Sequence, residues 1–212
     1  MKLTEDVYAY IWNNPFENNC NMYYFGEPLN VLFDAGLQGY AAARAEELKQ
    51  DAIDIEKTSY LVNTHSHPDH IGGCTYFANK TRIAMHKDEI DFCRMMGKNL
   101  PACEFNTSLE EGPWEVNGTE LQIIHTPGHT PGSICIYWPE KKALVCGDLI
   151  FARSVGRTDL PGGNGEALKS SIEKIAELDI ELLLPGHMSY IKERDNVKRN
   201  FDFIFKQFFP FI

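Results

Sequence analysis

Residues 64–70 read Thr-His-Ser-His-Pro-Asp-His, which sets His65, His67, Asp69 and His70 in the order His-x-His-x-Asp-His. The chain has seven histidines in 212 residues, and three of them fall in this one segment. Chance seldom produces such crowding, so the motif carries weight. Neutral imidazole and carboxylate are suitable ligands for zinc, iron or manganese. Two histidines one residue apart in a loop can converge on one ion. Asp69 and His70 begin the next helix and approach from another direction, which suits a second ion. A helix cap would account for Asp69, but not for three histidines.

A two-ion site needs further ligands and a bridge. His129 lies in a Thr-Pro-Gly-His-Thr-Pro-Gly loop at 126–132, where Gly128 lets the backbone turn tightly beside an ion. Asp148 ends the apolar run 143–147, a place where an unpaired carboxylate is costly. His187 follows Leu-Leu-Leu-Pro-Gly at 182–186. His125, four residues before His129, reads as a structural or supporting histidine. His86, after the run 82–85, reads as a loop histidine.

The elements that must hold these groups are legible as apolar runs. Residues 59–64, 120–124, 143–146 and 181–184 each stop at a His or Asp in a loop bearing Gly or Pro. Loops at strand ends are where a scaffold presents functional groups. Residues 7–12, 21–25 and 31–34 read as short strands between turn signals. Residues 41–50 have helical composition, and further helical stretches are expected at about 70–80, 87–97, 165–178 and 193–208. Mixed strands and helices of this kind predict an α/β fold, with a layered sheet and helices outside. The chain reads as a single domain over residues 1–212.

Twenty basic against thirty acidic residues give a net charge of −10. A nucleic-acid binder needs a basic footprint, which is missing here. No apolar run approaches the roughly 20 residues of a membrane span, so no membrane partner is expected. The first residues carry acids where a signal peptide would be apolar. The six cysteines contain no Cys-x-x-Cys pair. The expectation is a reduced, cytoplasmic protein acting on a small molecule. Structural zinc sites are closed and usually Cys-rich, so seven candidate ligands without a cysteine point to a catalytic centre. Six of the 13 Phe fall within 201–211. Phe201, Ile204, Phe205, Phe208 and Ile212 follow helical spacing. Phe203, Phe209 and Phe211 lie off that stripe, and if exposed they would offer a homo-oligomer surface.

The order His-x-His-x-Asp-His, then His129 in Gly-His-Thr-Pro-Gly, Asp148 after Ala-Leu-Val-Cys-Gly, and His187 after Leu-Leu-Leu-Pro-Gly resembles the metallo-β-lactamase superfamily over about residues 20–190. The resemblance implies a four-layer αβ/βα metallo-β-lactamase sandwich with metals at one edge, between two sheets. It implies His65, His67 and His129 on one ion, Asp69, His70 and His187 on a second, and Asp148 bridging. Two divalent ions are expected, zinc first, with iron or manganese as alternatives.

Within the superfamily, residues 125–133 (HTPGHTPGS) and 156–163 (GRTDLPGG) look most like hydroxyacylglutathione hydrolases of the glyoxalase II type. That implies a thioesterase whose metal-bridging hydroxide attacks the thioester carbonyl, with Asp69 also shuttling a proton. Arg153 and Arg157 follow Asp148 and are candidates for the anionic end of the substrate. An ion pair between Arg157 and Asp159 is the competing reading. The chain departs from long glyoxalase II in lacking its C-terminal helical domain, so the glutathione pocket does not carry over. The same motifs resemble the persulfide dioxygenases, in which His65, His129 and Asp148 would hold one iron. A lactone or phosphoester hydrolase of the superfamily is the third reading.

Overall fold

A computed structural model describes residues 1–14, 16–97 and 105–212. The first sheet contains β1 (Val7–Tyr10), β2 (Met22–Phe25), β3 (Val31–Phe33), β4 (Tyr60–Val62), β5 (Arg82–His86) and β6 (Thr107–Leu109), adjacent in that order. Its first three strands are antiparallel, and β3 to β6 run parallel. The second sheet contains β7 (Gly112–Val116), β8 (Thr119–His125), β9 (Ile134–Trp138) and β10 (Ala143–Gly147). A small hairpin of β11 (Ile150–Phe151) and β12 (Ser154–Val155) follows Asp148. Then β13 (Leu182–Pro185) and β14 (Ile191–Lys192) complete the second sheet in the order β14-β13-β10-β9-β8-β7. The helices are α1 (Ala41–Gln50), α2 (Pro68–Ile71), α3 (Cys74–Phe77), α4 (Lys87–Met95), α5 (Gly165–Ala176) and α6 (Arg194–Gln207).

Strand side chains alternate faces, and here both faces of each sheet are apolar. In β2, Tyr23 and Phe25 enter the central core while Met22 and Tyr24 enter the core under the first helical layer. In β10, Ala143 and Val145 face the central core while Leu144 and Cys146 face α5 and α6. Three cores separated by two sheets give four layers: helices, sheet, sheet, helices. This is the αβ/βα sandwich that the resemblance implied. Among the described residues no helix is long and apolar enough to cross a membrane.

Helix α1 matches its expected span, but the helix expected at about 70–80 is split into α2 and α3. The break falls at Gly72-Gly73, where a Cβ on Gly73 would lie 2.5 Å from the Ala35 carbonyl oxygen. Strands β6, β7, β9 and β14 go beyond the runs expected from sequence. The C-terminal phenylalanines also differ from expectation. Phe203 and Phe209 pack against the same core as Phe201 and Ile204, and only Phe211 stands out, 85% exposed. The chain turns after α6, which brings Phe209 onto Phe205 with ring centroids 4.8 Å apart. Five cysteines are buried; Cys103 lies outside the described residues.

Candidate metal centre

The site lies where strands of both sheets end. His65 follows β4 by three residues, and His67 is the N-cap of α2, which carries Asp69 and His70. Pro68 at the first helical position pre-sets the turn that swings Asp69 and His70 away from the two preceding histidines. From the second sheet come His129 in the β8–β9 loop, Asp148 just after β10 and His187 just after β13. Gly186 is required beside them: a Cβ there would sit 2.2 Å from Asp148 Oδ1 and 2.7 Å from His70 Cε1.

The seven groups form two clusters that share Asp148. On one side His67 Nδ1 lies 3.1 Å from His65 Nε2 and 2.8 Å from His129 Nε2. On the other, His187 Nε2 lies 3.2 Å from Asp69 Oδ2 and 3.4 Å from His70 Nε2. Asp148 spans the two, with Oδ1 3.2 Å from His70 Nε2 and Oδ2 3.3 Å from His187 Nε2 and 3.6 Å from His129 Nε2.

The outer contacts fix which ring nitrogens are lone pairs. His129 Nδ1 donates to the Arg157 carbonyl at 2.7 Å, so in the neutral ring Nε2 is the lone pair that faces the cluster. The Thr64 hydroxyl has one hydrogen and gives it to the Asp34 carboxylate at 3.0 Å. It must then accept from His65 Nδ1, 3.1 Å away, which leaves His65 Nε2 as a lone pair. Asp34 Oδ2 also lies 3.0 Å from His70 Nδ1, in a bent contact that is more ionic than hydrogen-bonded. One buried carboxylate thus orients a histidine in each cluster.

The donor set fits a cation in both places. Lone pairs of His65 and His129 converge on His67 Nδ1, whose single hydrogen would have to be shared between them, whereas a shared cation satisfies all three nitrogens. Burial, then neighbouring imidazoles, hold His67 down at about 4 and His65 well below its ordinary value, so these rings are neutral donors that a cation could use. In the acidic cluster burial also opposes charge, but carboxylates overcome it. His187 is raised to about 9 by Asp148 and Asp69, and His70 is held well above its ordinary value by the Asp34 and Asp148 carboxylates. Burial pushes Asp148 up, but His70 and His187 bring it well below the usual carboxylate range. Asp148 Oδ1 is nonetheless buried without an aligned hydrogen-bond donor. A cation between these groups would meet that unsatisfied oxygen.

Of the residues singled out in the sequence, all seven candidate ligands come together. The two arginines do not join them. Arg157 makes a double contact with Asp159, at 2.8 and 2.9 Å, and the Arg153 guanidinium lies 4.3 Å over the Phe203 ring. His125 and His86 sit apart, stacked with ring centroids 4.5 Å and planes 11° apart. They form a further grouping with Asp88, but His125 Nε2 donates to the Pro131 carbonyl and His86 Nδ1 caps α4. Sequence reading missed Asp34, Glu89 and Asn18, whose amide donates to Asp69 Oδ2 at 2.7 Å. Asp34 alone carried a signal, since it ends an apolar strand just as Asp148 does.

A cleft of about 310 Å³ opens beside His187, walled by Trp12, Phe16, Asn18 and Met188. A larger one of about 530 Å³ lies by α1, among Glu46, Lys49, Tyr76 and Lys80, with no His or Cys in its wall. The chemistry therefore points to the smaller cleft.

Residues 15–187 match the metallo-β-lactamase superfamily domain. The chain belongs to the metallo-β-lactamase superfamily. A probable metallo-hydrolase of Methanocaldococcus jannaschii is 36% identical over 190 residues, covering 82% of this chain and 90% of that protein. The hydroxyacylglutathione hydrolase GloC of Haemophilus influenzae is 31% identical over 194 residues, covering 82% and 87%. The crystal structure of TTHA1623 in a di-iron-bound form superposes with a TM-score of 0.69 at 25% identity, covering 92% and 95%. Superfamily membership points to a metallo-hydrolase; the superfamily uses divalent metals, and the His and Asp clusters of this chain supply donors that could hold them.

Proposed function

We propose that the chain is a thioesterase of the hydroxyacylglutathione hydrolase type. In this reading His65, His67 and His129 hold one divalent ion, Asp69, His70 and His187 a second, and Asp148 is shared between them. The observation that carries it is the shared carboxylate, which reaches His129 on one side and His70 and His187 on the other. A thiolate-free donor set of imidazole and carboxylate suits zinc, with iron or manganese as alternatives. Bound there, the ions would supply Lewis acidity and a water that is deprotonated near neutral pH.

The chain's own side chains do the remaining work. Asn18 holds the Asp69 carboxylate in place, and Asp69 takes up the proton released at the nucleophile and passes it toward the departing sulfur. A thiol of pKa about 8.5 leaves as thiolate with little acid assistance, so a weak relay suffices. Trp12, Phe16 and Met188 give the cleft beside His187 apolar walls for the acyl group. Similarity to GloC supports a thioester as the substrate.

The test is metal content per chain, on protein prepared without metal supplementation, followed by hydrolysis of S-lactoylglutathione. Two divalent ions per chain and thioester hydrolysis are expected. With both ions retained, Asp69→Asn should lose about 100-fold or more in kcat, and normal turnover would remove the relay. One iron per chain with oxygen uptake on glutathione persulfide would overturn the thioesterase in favour of the dioxygenase.

A further inference from the structure

Glu89 is fully buried, and among the described residues no basic side chain is hydrogen-bonded to it. A carboxylate in such a place is costly unless strong donors satisfy it. Its donors come from two loops. Oε1 accepts from the Ser66 N–H at 2.9 Å, and Ser66 is the residue between His65 and His67. Oε2 accepts from the Thr130 hydroxyl at 2.8 Å and the Gly132 N–H at 2.9 Å, in the loop that carries His129. Each oxygen thus holds one ligand-bearing loop, one from each sheet.

The backbone is built around this contact. Glu89 is the third residue of α4, after the N-cap His86. At that position a Glu commonly turns back on the N-cap backbone, but here both oxygens reach outward to the loops. Gly132 approaches so closely that a Cβ on it would lie 2.1 Å from the Glu89 nitrogen. Hydrogen bonds to an ionised acceptor are roughly twice as strong as neutral ones, so the carboxylate is suited to fix the separation of the loops it joins. That separation sets the 2.8 Å approach of His67 Nδ1 to His129 Nε2.

We propose that Glu89 is a positioning residue that sets the His65–His67–His129 triangle by clamping its two loops to one buried carboxylate. The clamp acts on one metal position, because its contacts lie in the two loops that carry those three histidines. The proposal rests on the metal-binding reading given above.

The test is competitive metal titration of the apoprotein with Co²⁺, whose visible spectrum reports coordination geometry, beside thermal unfolding of the apo form. Glu89→Gln keeps the shape but turns an amide N–H₂ toward one of the donors. The expected result is about 10- to 100-fold weaker binding at one of two sites, with an altered Co²⁺ spectrum. Ile90→Ala on the same helix is the control, because it removes core packing away from the loops. It should lower apo stability and leave Co²⁺ affinity unchanged. Unchanged affinity and spectrum in Glu89→Gln, whatever its stability, would overturn the proposal. If Glu89→Gln does not fold, Thr130→Val removes a single donor. A smaller loss at the same site supports the clamp, and no loss overturns it. Failure of the underlying reading looks different: the unaltered chain would bind Co²⁺ no better than His67→Ala does.

Discussion

Asp34 reaches both clusters without belonging to the candidate ligand set. It holds the tautomer of His65 through Thr64 and faces His70 directly, so it acts on both clusters. Replacement by Asn keeps the shape and removes the anion that acts on His65 through Thr64 and on His70 directly. Partners of this kind are typically worth 10- to 100-fold in metal affinity. Asp34→Asn should therefore weaken both metal positions by about that factor, read as loss of bound metal to a competing chelator. Loss at one position alone would mean that Asp34 orients one ring and packs beside the other. The contrast between ligands and supports also explains what could be read from the chain itself. Ligand chemistry restricts residue type and spacing, so His65, His67, Asp69 and His70 stand out as a motif. Glu89 is a lone carboxylate that only its tertiary contacts distinguish from solvated charge, and Asp34 carries no more than the signal of ending an apolar strand. Arg157 illustrates the reverse, for the local pairing with Asp159 is what the structure contains.

Elements were legible where their own pattern decides them. Strands β2, β3 and β10 bury residues on both faces and read as apolar runs. Strands β6, β7 and β14 are short or half-exposed edge pieces, defined by the partner they pair with rather than by alternation. The β5–α4 junction makes a prediction at this scale. His86 caps α4 by accepting from the Asp88 N–H at 3.3 Å, and it stacks on His125. Burial, then His125, holds the His86 pKa below its ordinary value. The unfolded chain then takes up the proton first, so this contribution is complete above about pH 6.5 and is lost as the pH falls. Asn caps a helix equally well and does not titrate. In urea unfolding, the stability difference between the unaltered chain and His86→Asn should shift against the unaltered chain on going from about pH 7.5 to 5.5. A difference that stays constant with pH, or shifts the other way, would show that the capping histidine does not titrate as its surroundings require.

At the scale of the whole molecule, the site is a seam. The first sheet supplies His65, His67, Asp69 and His70, and the second supplies His129, Asp148 and His187. A cation held there ties the two sheets together at one edge. The sheets are already joined by the central core, in which Phe25 of the first meets Trp138 of the second. The fold should therefore survive without metal, unlike a small domain whose only core is its ion. Binding to the folded state alone still stabilises it by linkage, by about 2.7 kcal/mol when free metal is 100-fold above Kd. For a chain of this length each kcal/mol moves the midpoint by about 2–4 °C. Chelation is thus expected to lower Tm by about 5–11 °C for each of the two ions removed, with one cooperative transition and the circular dichroism of the folded state retained. Complete unfolding on chelation would give the ions a structural role and weaken the case for a catalytic centre. An unchanged Tm would mean that the seven side chains hold no metal in the resting protein. Two separate transitions would divide the chain into units along this seam, and their order would show which sheet depends on the metal.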